Sequence, residues 1–275
     1  MGTVKTEFLV DPAWIAARID DPSVRLVEID VSPAAYNAGH VPGAVFWDAY
    51  RDLRHPDYLP VGDAALQELV CNAGIDAGTT VVFHGYGAHL GFWLLKNHGH
   101  RNVCLMDGSR ERWTSAGQGW SRDTPRHARR NYPLAPGNPH RASKADVCAM
   151  LGTPGIVVDT RSRAEYDGER FWPSGPTAGA GRAGHIPGAV HVPIELLRTE
   201  DGAFRDTHTM QQVLRERGVD PRAALVTYCT IGNRAAQAWF ALTHLLGYEN
   251  VRVYYGSWTE WGMATDTPIE VPATV

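Results

Sequence analysis

Cys229 stands in the stretch YCTIGNRAAQAWF, residues 228–240, after the apolar run AALVT. A thiol acts as a nucleophile through its thiolate, and a free cysteine with a pKa of about 8.5 is mostly protonated at neutral pH. The neighbours of Cys229 are of the kind that hold negative charge. Thr230, Ile231, Gly232 and Asn233 can curl so that backbone N–H groups point inward as an anion nest, with Gly232 supplying the permissive backbone. A helix starting near Asn233 would aim its positive dipole end at the sulfur. Arg234 adds a permanent cation. The same cradle suits a small oxyanion substrate. Cys229 is therefore the candidate nucleophile, and residues 230–234 are candidate substrate binders. A buried structural thiol is the commonest state of an intracellular cysteine, but a polar loop carrying an arginine makes a poor apolar pocket. Cys71, Cys104 and Cys148 fall on helix or strand patterns and read as structural.

The elements that must position this loop occur twice. GHVPGAV at 39–45 returns as GHIPGAV at 184–190; GIDAGTTVV at 74–82 returns as GVDPRAALV at 218–226; GHRNVCLMDGSRERW at 99–113 returns as GYENVRVYYGSWTEW at 247–261. Three blocks in the same order indicate a duplicated domain. The Pro-, Arg- and Asn-rich stretch 121–142 has no apolar period and reads as a linker, its arginines solvated or docked. The expected organisation is a first domain over 1–120, a linker over 121–142 and a second domain over 143–275. In the second copy, Ser143 is a helix N-cap, GIVVDT, AALVTY and NVRVYY have strand length, and AAQAWFALTHLLG has helix length and a glycine at its end. Strands alternating with helices imply an α/β fold in each copy, with a parallel sheet covered by helices on both faces. Ligands of such sheets bind beyond the carboxyl ends of the strands, where Cys229 sits.

The copies differ at this point. From Val82 to Gly99 is 17 positions and from Val226 to Gly247 is 21, which predicts four extra residues around the Cys229 loop. Gly85 aligns with Cys229, and the first copy lacks the thiol and the following arginine. Residues kept by both copies, His40 with His185, Asp30 with Asp159, and Trp113 with Trp261, read as structural, with a supporting role near the loop as the alternative for Asp159. The insertion between Tyr166 and Gly184 is expected on the rim of the site, with Trp172 as a candidate wall, or else as a surface loop. The chain has 275 residues and a formal charge of −4, so no global basic field points to nucleic acid or a membrane. The four scattered cysteines form no CxxC pair, which argues against a disulfide framework or a zinc site and for a reducing cytoplasm.

CTIGNR resembles the active-site loop of rhodanese, the thiosulfate sulfurtransferase family, and RAGHIPGAVHVP, DTRSRAEY and YYGSWTEWG resemble that family's other signatures. The resemblance implies two tandem rhodanese-like domains, the first inactive. It implies a ping-pong reaction in which Cys229 takes the outer sulfur of thiosulfate as a persulfide, sulfite leaves, and cyanide, a small thiol or a protein thiol, thioredoxin-like proteins included, removes the sulfur. No metal or organic cofactor is implied. Some family members carry a lysine where this chain has Ile231, and some an arginine where it has Glu165. The charge that holds substrate is then expected from Arg234, with Arg161 and Arg182 as second choices, a structural ion pair being the equal alternative for those two. Mercaptopyruvate sulfurtransferase shares the two-domain plan. A phosphatase or arsenate reductase shares the Cys-loop-Arg site, but four residues separate Cys229 from Arg234, a shorter loop than the related phosphatases have. A non-catalytic binding module would leave the Cys229 loop unexplained.

Overall fold

The computed structural model describes residues 7–108, 110–135, 139–172 and 181–271. Two compact units divide it, one built chiefly from Lys5–Asn138 and the other from Pro139–Glu200 and Phe204–Val275. The first unit runs β1 (Leu9–Val10), α1 (Pro12–Ala16), β2 (Val24–Asp30), α2 (Ala34–Ala38), β3 (Val45–Asp48), α3 (Asp63–Asn72), β4 (Thr80–His84), α4 (Ala88–Asn97), β5 (Val103–Met106) and α5 (Arg110–Ser115). The second repeats the order: β6 (Arg141–Ala142), α6 (Lys144–Met150), β7 (Ile156–Asp159), α7 (Arg163–Tyr166), β8 (Val190–His191), α8 (Thr207–Glu216), β9 (Leu225–Tyr228), α9 (Asn233–Phe240), β10 (Val251–Tyr254) and α10 (Ser257–Trp261). The sheets are five-stranded, in the orders β1-β5-β4-β2-β3 and β6-β10-β9-β7-β8. Every pairing is parallel. Each strand of the second sheet stands where its counterpart stands in the first, so the sequence repeat is a repeat of topology, and the expected tandem α/β fold is found.

Local chemistry accounts for the elements nearest the site. β9 is buried at all four positions, as a central parallel strand covered on both faces must be. Ser143 caps α6 with a full capping box closed by Asp146, and Ser162 caps α7 in the same way with Glu165. Each cap satisfies backbone N–H groups that the first helical turn leaves open.

Strand register corrects one sequence equivalence. Asp159 pairs with His191 on one side and Tyr228 on the other. In the first sheet the residue so placed, opposite Phe46 and His84, is Glu28. Glu28, not Asp30, is the counterpart of Asp159, because β2 runs two residues further before it ends.

The length difference is also relocated. From His84 to Val103 is 19 positions and from Tyr228 to Val251 is 23, the expected four extra. Only one lies in the loop between strand and helix, since α4 begins four positions after His84 and α9 five positions after Tyr228. The rest lies in the helix: α4 has 10 residues, whereas α9 has 8 and continues into a π-helical turn of 5, Ala241–Leu245. A π turn is how a helix absorbs an inserted residue without losing its ladder.

The arginine-rich stretch is docked on the first unit. Arg129 pairs with Glu68 at 2.8 Å, the Arg130 N–H donates to the Cys71 carbonyl at 3.0 Å, and the Leu134 N–H donates to Gln67 Oε1 at 3.0 Å. Arg141 and Ala142, read as the end of the linker, form the edge strand β6 against β10. No helix among the described residues is long and apolar enough to cross a membrane.

Candidate active site

β9 ends one residue before Cys229, whose residue surface is only 1% exposed. The chain then turns at Gly232, which has φ +92°, a left-handed conformation that glycine adopts without steric cost. This turn brings the Gly232 N–H to Cys229 Sγ at 3.1 Å. The sulfur thus accepts a backbone donor at the mouth of α9, as the nest reading expects.

The loop is tied from below by the turn into α10. The Cys229 N–H donates to Ser257 Oγ at 3.3 Å. The carbonyls of Cys229 and Thr230 accept from the N–H groups of Trp258 and Thr259 at 2.9 and 3.1 Å. Ser257 itself has φ +56°, a left-handed conformation that costs a non-glycine residue about 1–3 kcal/mol. Its hydroxyl donates to the Tyr254 carbonyl at 2.8 Å, which fixes the strained residue under the thiol.

Arg234 does reach the loop, but it arrives with a partner. Its Nη1 donates to Glu165 Oε2 and its Nη2 to Glu165 Oε1, both at 2.8 Å, and Nη2 also donates to Thr230 Oγ1 at 2.7 Å. The Thr230 hydroxyl donates to Glu165 Oε1 at 2.6 Å. Ser162 adds its N–H at 3.1 Å and its hydroxyl at 2.7 Å to Glu165 Oε2. Glu165 is fully buried and Arg234 nearly so. Burial alone would raise the Glu165 carboxyl, but the Arg234 hydrogen bonds and charge, with Thr230 and Ser162, outweigh it and hold the pKa at about 2. A fork-to-fork pair of this kind fixes the guanidinium plane as well as neutralising it.

Arg161 and Arg182 are engaged elsewhere. Arg161 is fully buried, and its Nε and Nη2 donate to Asp159 at 2.7–3.1 Å while Nη2 also donates to the Gly184 carbonyl at 2.7 Å. Its guanidinium lies 4.3 Å from the centroid of the Trp258 ring, the packing an arginine favours. The Tyr228 hydroxyl donates to Asp159 in a short hydrogen bond and accepts the Ile186 N–H at 3.2 Å. This buried group lies directly beneath the loop, since Tyr228 precedes Cys229 and Trp258 holds the Cys229 carbonyl. Arg182 donates to the carbonyls of Thr267 and Ala264 and to Thr267 Oγ1, closing the turn after α10. Ile231 is buried. Asn233 is 1% exposed, and neither atom of its amide has a hydrogen-bond partner among the described residues.

The structure brings Cys229 and residues 230–234 into one loop, as the spacing predicts, with Asp159 beneath it; sequence reasoning left out the holding roles of Glu165, Tyr228 and Ser257. For Glu165 a signal existed, because Ser162 and Glu165 have capping-box spacing, although nothing in that spacing points to Arg234. His40 and His185 stack on Tyr36 and Tyr166 and hydrogen-bond to those residues' carbonyls, a shared structural role. Trp113 and Trp261 are buried, and each indole N–H donates to a carbonyl. Trp172 packs edge-on to Phe171; residues 173–180 of the insertion lie outside the described residues.

A family model described as Rhodanese-like domain matches residues 11–116 and again residues 143–264. The chain belongs to the rhodanese family. The chain is 38% identical over 273 residues to a protein of Mycobacterium tuberculosis that carries the provisional name thiosulfate sulfurtransferase SseA, spanning 96% of this chain and 90% of that one. It is 36% identical over 282 residues to the sulfur carrier protein TtuD of Thermus thermophilus, spanning 98% of each. Among solved structures it is similar to the anaerobic ergothioneine biosynthesis enzyme from Chlorobium limicola in complex with trimethyl histidine, with a TM-score of 0.86 and 26% identity over 97% of this chain and 71% of that one. It is equally similar in fold, with a TM-score of 0.86 and 25% identity, to an EanB variant in complex with ergothioneine covalently linked with a cysteine persulfide, over 98% of this chain and 71% of that one.

Proposed function

We propose that this rhodanese-family sulfurtransferase moves the sulfane sulfur of thiosulfate to cyanide or a thiol through a persulfide on Cys229. The observation that carries the reading is the Gly232 N–H aimed at Cys229 Sγ at the N-terminus of α9, in the second copy alone. The Cys229 thiolate attacks the outer sulfur of thiosulfate; a new S–S bond forms, the old one breaks, and sulfite leaves with the bonding pair. The acceptor then attacks the outer sulfur of the persulfide, and Cys229 leaves again as thiolate. A nucleophile that begins and ends as a thiolate needs no partner base. The TtuD and SseA names support a sulfur-handling role, and the persulfide complex of a structural neighbour supports the intermediate.

Mercaptopyruvate is the second reading for the donor, favoured by one observation: the loop's cation is already neutralised by Glu165, which suits a monoanion. Intact-mass and peptide mass spectrometry after thiosulfate treatment should find one added sulfur atom, on Cys229, that cyanide removes. Sulfur on another cysteine, or on none, would refute the mechanism. Side-by-side kinetics with thiosulfate and mercaptopyruvate decide the donor.

A further inference from the structure

Glu165 makes the loop electrically neutral before any donor arrives. Arg234 is the loop's one basic residue between 229 and 234, and both of its terminal nitrogens donate to Glu165 at 2.8 Å. The carboxylate accepts from Ser162 N–H and Oγ, Thr230 Oγ1 and the two Arg234 nitrogens. A carboxylate offers about four lone-pair positions, so Glu165 is saturated and cannot swing away at little cost. Arg161 is neutralised in the same manner by Asp159. Arg182 donates to carbonyls and a threonine hydroxyl after α10. The three arginines that the sequence offers as substrate clamps are thus all engaged within the fold.

We infer that Glu165 is a specificity-determining, positioning residue: by closing on Arg234 it withholds a full positive charge from the donor and so restricts the preference of the site for dianionic over monoanionic sulfur donors. The inference rests on the reading that Cys229 takes the outer sulfur of such a donor. Two donors of the same chemistry isolate the charge. Thiosulfate is a dianion that releases sulfite; methanethiosulfonate is a monoanion that releases methanesulfinate by the same attack on its outer sulfur. In Glu165→Gln the amide keeps most of the shape of the side chain and removes its charge. The ratio of kcat/KM for thiosulfate to that for methanethiosulfonate should then rise by about tenfold or more, as one uncancelled charge near the donor predicts, chiefly through the thiosulfate KM. A residue that only braces the loop would move both donors together and leave the ratio unchanged.

The single variant leaves Arg234 buried without its counter-ion, which by itself destabilises a fold. The double variant Glu165→Gln, Arg234→Gln removes both charges at once and should keep the wild-type ratio, because the net charge facing the donor is unaltered. A fall in the ratio in the double variant would overturn the inference, since Arg234 would then have been acting on the donor despite Glu165. Loading of Cys229 by both donors with an unmoved ratio in Glu165→Gln would overturn it as well. Failure of the wild-type protein to load from either donor would overturn the proposed function, and the inference with it.

Discussion

The two copies share a buried acid at the same register position and use it differently. In the first, Glu28 pairs with Arg110 at 2.7 Å, and the Arg110 side chain is 27% exposed. In the second, Asp159 pairs at 2.7 Å with Arg161, and neither side chain is exposed. The strand-end residue facing the acid is His84 in one and Tyr228 in the other. Tyr228 donates its hydroxyl to Asp159. His84 lies 3.8 Å from Glu28, and neither ring nitrogen has a hydrogen-bond partner among the described residues. In the floor under the Cys229 loop, both oxygens of Asp159 are paired and only Arg161 Nη1 of the acid, arginine and tyrosine lacks a hydrogen-bond partner among the described residues, whereas the floor of the first copy leaves Glu28 Oε2 and both His84 nitrogens without one. Precision of support, rather than the fold as such, separates them.

The sharpest way to break the comparison is chemical. Cys229→Ser should abolish sulfur transfer, a loss of at least about a thousandfold, while circular dichroism stays unchanged, because a hydroxyl fits the site but is not ionised. Intact-mass measurement after thiosulfate would check it.

Next in size is the floor itself. Asp159→Asn strands a fully buried Arg161 and should cost about 3–5 kcal/mol in urea denaturation. Glu28→Gln should cost only about 1–2 kcal/mol, since water can screen the partly exposed Arg110. Equal costs would contradict the contrast between the two floors.

Grafting the thiol onto the first copy should fail sterically before it fails chemically. At Gly85, with φ +88°, an added Cβ would stand 2.7 Å from the Ile29 carbonyl oxygen. Gly85→Cys should therefore destabilise the protein by about 1–3 kcal/mol and add no second cyanide-removable sulfur. Two labelled cysteines per chain would contradict this.

The smallest expected effect is on acid stability. Burial, then the charges of Arg110 and His40, hold the His84 imidazole down from 6.5 to about 3. The unfolded chain therefore binds this proton first, and the stability contributed is present above about pH 6.5 and lost as pH falls toward 3. Glu165, held down from 4.5 to about 2, contributes stability present above about pH 4.5 and lost toward pH 2. Glu28 is raised by burial and acts in the opposite sense. His84→Leu should flatten the decline between pH 6.5 and 4.5 by about one proton, measured by thermal melts across pH. The slope does not vanish, because His100, His127, His140 and His191 are also held down, first by burial. An unchanged slope would show that His84 titrates normally.

What the sequence made legible follows the range of the interactions. The duplication, the parallel sheets and the thiol at a strand end are written in local patterns, and so is the turn at Gly232. The Arg234–Glu165 pair joins α9 to α7 across 69 positions, and no periodicity announces such a contact. The four extra residues were countable, but their place was not, because a π turn after Phe240 carries the same residue types as an ordinary helix. Asp30 was matched to Asp159 by residue type, where register selects Glu28.

For the proposed persulfide, the burial of Cys229 bears on which sulfur atom an acceptor would meet. A persulfide sets its outer sulfur about 2 Å beyond Sγ. Sγ itself would lie behind it, against the Gly232 N–H in a residue only 1% exposed, so an approaching thiolate would meet the outer atom first. Attack at the outer atom hands the sulfur on and restores the protein. Attack at the inner atom would trap the acceptor in a mixed disulfide and expel hydrosulfide. In the proposed transfer, depth would thus act as regiochemical control, favouring delivery of the sulfur over capture of the acceptor.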